Sequence, residues 1–354
     1  MHKKYHYLPL LFCTLIAIFA IGCSSSLPDF TELAANADDV VGDCVPTMPE
    51  SGTAAATAAQ ALIDSVGSSN VQFALDASQR YTWSVLPVPL VERPDQGARM
   101  GDLDEAAKTL VCQLVDVTLS DSGVELVFGS MSSDELLGNS VNRADREYTK
   151  DNYWVSIFGD PSGGDVWAYQ LEGHHLGINV AIKGDEMIAG PLLFGGYPLL
   201  DEDGTAFLGA QETLALAFAA TLASDQLSQL VVSSEPSEVD VNSESANYVF
   251  IEPATSGLAG SALSAEQQTA LVALIDSYVE TMPAEQAAAV KELVAGELEQ
   301  AIVSWEGCTN AKPFGYGVRL PSLHIFYSNE DEPQHAHIIF RLPNHDYGKA
   351  LMNQ

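Results

Sequence analysis

The sequence predicts an α+β fold, a single large domain of antiparallel sheet and hairpins with several amphipathic helices, lying after a signal peptide and a tether. Three observations predict it. Segments with helical apolar spacing lie between short apolar runs bounded by turn residues. Those runs follow one another as hairpins rather than as strand–helix–strand units. The chain has 354 residues, enough for one substantial core without disulfide staples.

The elements are justified in order. Lys3 and Lys4 form a short positive region, and Leu8 to Ile21 is almost wholly apolar. That run is shorter than the ~20 residues a spanning helix needs, and it matches the apolar region of a secretory signal. It stops at Ala20-Ile21-Gly22-Cys23, which resembles a bacterial lipobox, with Cys23 acylated as the first mature residue. Ser24 rather than Asp resembles the signals that direct lipoproteins to the outer membrane. Residues 1–22 are read as signal peptide, 23–65 as a lipid-anchored tether, partly disordered or helical, and 66–354 as the globular domain. Ala54 to Val66 is the Ala-rich, helix-compatible part of the tether.

Asp102 caps a predicted helix with Glu105 three residues on, followed by Leu103, Ala106, Ala107, Leu110, Val111, Leu114 and Val115 at helical spacing. Further helices are predicted over Gln211–Ala223, from Ser264 through Tyr278, and over Glu285–Gln300. Three of these segments share a loose form, as an internal duplication or generic amphipathic helices would. Strands are predicted over Tyr153–Phe158, Val166–Gln170, Leu176–Ile182 and Met187–Phe194, with Gly184-Asp185 as a hairpin turn. Tyr316–Leu320, His324–Tyr327 and His335–Arg341 complete the set.

The charge is extreme, at 15 basic against 48 acidic residues. Such a surface repels phosphate backbones and excludes nucleic acid as a partner. The acids are dispersed, which reads as a solvated surface; cation binding is the alternative. With Cys23 lipidated, Cys44, Cys112 and Cys308 remain, so at most one disulfide forms and spacing does not choose it.

A set of ordered pieces carries a family resemblance. They include Arg80 with Trp83, Gly101-Asp102-Leu103, Phe158-Gly159-Asp160-Pro161-Ser162, and Trp167 leading to Glu172-Gly173-His174-His175-Leu176 with Asn179. Phe194-Gly195 with Pro198, Leu263-Ser264 with Gln267, Trp305 with Gly307, Tyr316 with Arg319, and Tyr327 with Asn329 follow. The close is His335-Ala336-His337, Phe340-Arg341 and Asp346-Tyr347-Gly348. From about Phe73 to Met352 the chain resembles the domain-of-unknown-function family 3500 (DUF3500), secreted or lipid-anchored proteins of bacteria and some fungi. The resemblance implies acids beside Tyr327, where Phe326 and Ser328 stand, and another at Leu342. It implies no reaction.

The candidate chemistry comes from histidine. Six histidines follow the signal, and four form two clusters. His335 and His337, two apart on a strand, project from one face. His174 and His175 are adjacent, so only one can join them. The metal set so read is His335, His337, one of His174 and His175, and Glu172, with Glu330, Asp331 and Glu332 in the preceding loop. The implied cofactor is a divalent metal (Zn, Cu or Fe). An open coordination position suits hydrolysis, slightly ahead of oxidation. Arg80, Arg319 and Arg341 are scarce cations in motif pieces; with Trp167 and Asn329 they suggest a pocket for a small anionic or organic ligand, or they neutralise buried acids. The two functional readings are thus a lipid-anchored metal-dependent enzyme and a non-catalytic envelope lipoprotein that binds a small molecule. Both place the protein in the bacterial cell envelope, held to the membrane through Cys23. Ser162 lacks a nucleophile-elbow context, and Asp201-Glu202-Asp203-Gly204 lacks the later ligands of a calcium loop.

Overall fold

The computed structural model describes residues 51–81, 96–141, 148–200, 206–237, 253–329 and 334–353. Residues 1–22, read as a signal peptide, and Cys23, Cys44, Trp83, residues 201–204 and residues 330–332 lie outside them.

The chain runs twice through one order of elements. The first half contains α1 (Gly52–Val66), α2 (Ser68–Val71), β1 (Gln72–Phe73), β2 (Ala98–Arg99), α3 (Glu105–Asp116), α4 (Asp121–Val141), β3 (Trp154–Phe158), β4 (Trp167–Gly173), β5 (Leu176–Lys183) and β6 (Glu186–Gly196). The second contains α5 (Gly209–Ala220), α6 (Ser224–Leu230), β7 (Val231–Ser233), β8 (Leu258–Ala259), α7 (Ala265–Val279), α8 (Ala284–Glu297), β9 (Ile302–Gly307), β10 (Phe314–Arg319), β11 (His324–Ser328) and β12 (Ala336–Arg341). A short α9 (Lys349–Met352) follows.

All the strands form one mixed sheet in the order β1-β3-β4-β5-β6-β12-β11-β10-β9-β7, with β2 on β3 and β8 on β9. The order is a palindrome about the antiparallel β6–β12 seam. Each half is a four-stranded antiparallel meander, and its outer strand carries one parallel and one antiparallel short partner. Helix α1 packs on α3 as α5 packs on α7. The duplication suggested by the helical segments is therefore present in the topology.

Alternation along the strands decides the layers. Trp167, Tyr169 and Leu171 of β4, with Ile178, Leu192, Phe194, Ile338 and Phe340, face the helices and belong to the main core. Each such side chain contributes about 1.5–3 kcal/mol by leaving water. The strands are buried along nearly their whole length, and β4 and β5 bury the polar residues Gln170, Glu172 and Asn179 among apolar ones.

Two boundaries differ from expectation. Ala55, Ala59 and Leu62 of α1 are fully buried, so the folded unit begins by Gly52 rather than after residue 65. An Ala-rich helix can pack its backbone closely against a neighbour, and α1 does so against α3. The cap of α3 is Asp104, whose carboxylate accepts from the Ala107 amide at 2.8 Å, rather than Asp102, which lies in a 3₁₀ turn. Cys112 is disulfide-bonded, and Cys308 is free and exposed. Among the described residues no helix is long and apolar enough to cross a membrane.

Candidate metal centre

The two histidine clusters meet. His174 and His175 form the two-residue turn between β4 and β5, and His335 and His337 stand at the start of β12, across the β6 seam. His175 Nε2 lies 3.3 Å from His335 Nε2, which in turn lies 3.2 Å from His337 Nε2. Four-coordinate zinc binds imidazole nitrogen at 2.0–2.1 Å in tetrahedral geometry, which sets neighbouring nitrogens roughly 3.3 Å apart. The observed spacings match that edge. His175 and His337 are buried and His335 is half-buried, so among the described residues the triad meets solvent through His335.

The turn explains which histidine of the pair joins. Both donate through Nδ1 to the same oxygen of Asp134, His174 at 2.9 Å and His175 at 2.7 Å. Only His175 directs its other nitrogen to His335 and His337. The rings of His174 and His175 stack at 3.7 Å between centroids, and Tyr148 lies against His174 at 5.1 Å. Tyr197 lies against His335 at 5.3 Å.

Asp134 comes from α4 and is buried, and its second oxygen accepts from the Tyr153 hydroxyl at 2.6 Å. Burial alone pushes its pKa up. The charges and hydrogen bonds of His174 and His175 together outweigh that and hold the carboxyl below the usual carboxylate range. An ionised Asp134 only accepts, so it holds an N–H of His175 on Nδ1, and in the neutral ring that binds a metal this leaves the lone pair on Nε2. This is the carboxylate–histidine arrangement that orients a metal ligand.

With His175 Nε2 an acceptor, a single N–H on His335 Nε2 would have to serve both His175 and His337, 3.3 and 3.2 Å away. A cation at the centre of the three nitrogens would take all three lone pairs at once. Space for the rings is made by Gly195, which pairs with His337. A Cβ there would stand 2.7 Å from His337 Cδ2 and 3.3 Å from His175 Cδ2.

The remaining candidates lie elsewhere. Glu172 is buried on β4 and belongs to neither ligand group found among the described residues, which are His175-His335-His337 and Asp134-His174-His175. Because His174 sits in the turn rather than on the strand, sharing a face with Glu172 does not bring the two to one point. Arg80 and Arg341 both bind the Asp346–Tyr347 turn, and Arg319 binds a carbonyl of a separate segment. Arg341 binds Asp346 through Nε and Nη2, both at 2.8 Å. Arg80 donates to the carbonyls of Tyr347 at 2.6 Å and Leu75 at 3.3 Å. Arg319 donates to the Pro253 carbonyl at 3.4 Å. Trp167 is part of the core, and Asn329 donates to Glu212 at 3.1 Å. Asp134, which no motif announced, is the residue that sequence reasoning missed.

The family described as "Protein of unknown function (DUF3500)" matches residues 48–349. The chain belongs to this family. Its match takes in α1 and both histidine clusters, so the centre lies inside the DUF3500 region. No curated protein and no solved structure matches the chain.

Proposed function

We propose that this chain is an exported, lipid-anchored, metal-dependent enzyme whose ligands are His175, His335 and His337, with hydrolysis ahead of oxygen chemistry as the reaction. The observation that carries the reading is the 3.3 and 3.2 Å spacing of the Nε2 atoms of His175, His335 and His337. A divalent ion held by three histidines keeps an open position, and there it supplies Lewis acidity and a lowered pKa for bound water. The chain's own groups do the rest. Asp134 fixes the tautomer of His175. The Tyr153 hydroxyl holds the second oxygen of Asp134. Gly195 lets the rings of His175 and His337 close together. The resemblance of residues 1–23 to a lipoprotein signal supports an envelope location and membrane attachment through Cys23.

The test uses the chain without its signal peptide, stripped by chelator and reloaded with zinc, iron or copper. Chromogenic carboxylate and phosphate esters are supplied, with oxygen uptake followed in parallel. Ester hydrolysis that returns with metal and is absent from His335→Ala supports the reading. Hydrolysis that is equal in stripped, reloaded and His335→Ala protein refutes it.

A further inference from the structure

The duplication provides an internal control for every buried group. Matching registers equate Tyr169 with Tyr316, since each lies third from the end of its hairpin's first ladder, and Val180 and Ile182 with Tyr327 and Asn329. The helix caps Asp104 and Ser264 equate Thr118 with Tyr278, and both pairs are in fact bonded, Thr118 to Tyr169 and Tyr278 to Tyr316. In the first half this region is filled by the buried side chains of Val180 and Ile182. The fold thus does not require polar groups at the positions of Tyr327 and Asn329, and burying them is costly unless they are matched.

The second half nevertheless adds a carboxylate, an amide and the Tyr327 phenol there. Tyr327 donates to Glu212 Oε1 at 2.5 Å, and Asn329 Nδ2 donates to the same oxygen at 3.1 Å and to the Tyr327 hydroxyl at 2.7 Å. Lys312, on the turn between β9 and β10, ion-pairs with Glu212 Oε2. Burial, then the charge of Glu212, keeps Tyr327 well above the ordinary tyrosine pKa, so it remains a donor. Acceptors are still in excess. Asn329 is wholly buried and its Oδ1 has no hydrogen-bond partner. The cluster reaches solvent at Lys312, whose side chain is 25% exposed against 11% for Glu212.

We propose that Glu212, Asn329 and Tyr327 form a binding site for the primary ammonium group of a small amine, and that the Lys312 ammonium occupies it as a built-in stand-in. An ammonium brings three donors and no acceptor; Lys312 pairs with Glu212 Oε2 and leaves Asn329 Oδ1 unmatched, and a free amine supplies the donor that this oxygen lacks. Lys312 is on a turn and partly exposed, so its side chain can leave without moving the sheet. A self-occupied site binds with an affinity reduced by the fraction of time it is open. Removing the stand-in therefore strengthens binding, the reverse of what loss of a purely structural ion pair would do.

The experiment is calorimetric titration of the chain without residues 1–22 with ethanolamine, with ethylene glycol as the uncharged control. The expected result is ethanolamine binding that Lys312→Met and Lys312→Gln each tighten about tenfold, corresponding to a site open roughly a tenth of the time. Glu212→Gln abolishes it, and His335→Ala with His337→Ala leaves it unchanged, which separates this site from the metal centre. Melting temperatures identify the folded variants. The proposal is overturned if folded Lys312 variants bind ethanolamine no more tightly than the unsubstituted chain, or bind ethylene glycol equally.

Discussion

Asp134→Asn is the sharpest perturbation of the metal centre because it keeps the shape and removes the charge. Asp134 accepts three hydrogen bonds, from His175 at 2.7 Å, His174 at 2.9 Å and the Tyr153 hydroxyl at 2.6 Å. Asparagine can present its carbonyl to the two histidines, and the Tyr153 hydroxyl can rotate to accept from the new amide. All contacts then survive, but none is charge-assisted. Hydrogen bonds to a charged group are worth about 1.5–3 kcal/mol and neutral ones about 0.5–1.5. The His175 contact therefore weakens by about 1 kcal/mol, and the electron push on Nε2 weakens with it. Outer partners of metal-bound histidines typically carry 10–100-fold in affinity, and at 1.4 kcal/mol per tenfold this is about 1.4–2.8 kcal/mol. The assay is competition with a chromogenic chelator at fixed pH, alongside a urea melt to show that the variant folds. Affinity within about twofold of the unsubstituted chain, in a folded variant, refutes the role given to Asp134.

Other consequences follow from the same contacts. Gly195→Ala places a methyl 2.7 Å from His337 Cδ2, so metal affinity should fall at least tenfold by chelator competition while the fold persists. Arg341→Met strands the buried Asp346 and should cost about 3–5 kcal/mol at neutral pH in urea unfolding. Burial already raises the pKa of Asp346 despite Arg341, so its ionised form disfavours the native state as pH rises through the folded pKa. The loss in Arg341→Met should accordingly shrink as pH falls and Asp346 protonates; a loss independent of pH would contradict this. Burial raises the pKa of Tyr169, Tyr278, Tyr316 and Tyr327 above the ordinary tyrosine value. Their neutral forms stabilise the native state fully below about pH 10, and that contribution is lost as pH climbs toward the folded values. Near-ultraviolet titration should show these four ionising only with unfolding.

What was legible in the sequence had a short period. His335 and His337 could be paired because a two-residue step on a strand keeps one face, and Gly184-Asp185 marks the β5–β6 hairpin. Residues 121–141 did not read as a helix. They hold Gly123, Gly129, Ser130, Ser132, Ser133 and Gly138, which have poor helical propensity, yet most of α4 is buried and its form is set by packing on the sheet. Losing α4 meant losing Asp134. The His174-His175 pair was read as strand, where alternation admits only one to a site, whereas a turn lets both reach Asp134. The Glu212 network joins residues more than a hundred positions apart, with no local pattern to signal it.

The account rests on three imidazoles converging on one cation. The direct measurement is metal content after reconstitution and desalting of the chain without residues 1–22, beside His175→Ala and the His335→Ala, His337→Ala double variant. One equivalent of tightly held metal in the unsubstituted chain, lost in both variants, is the predicted result. Less than about a tenth of an equivalent, or the same content in all three proteins, would contradict it.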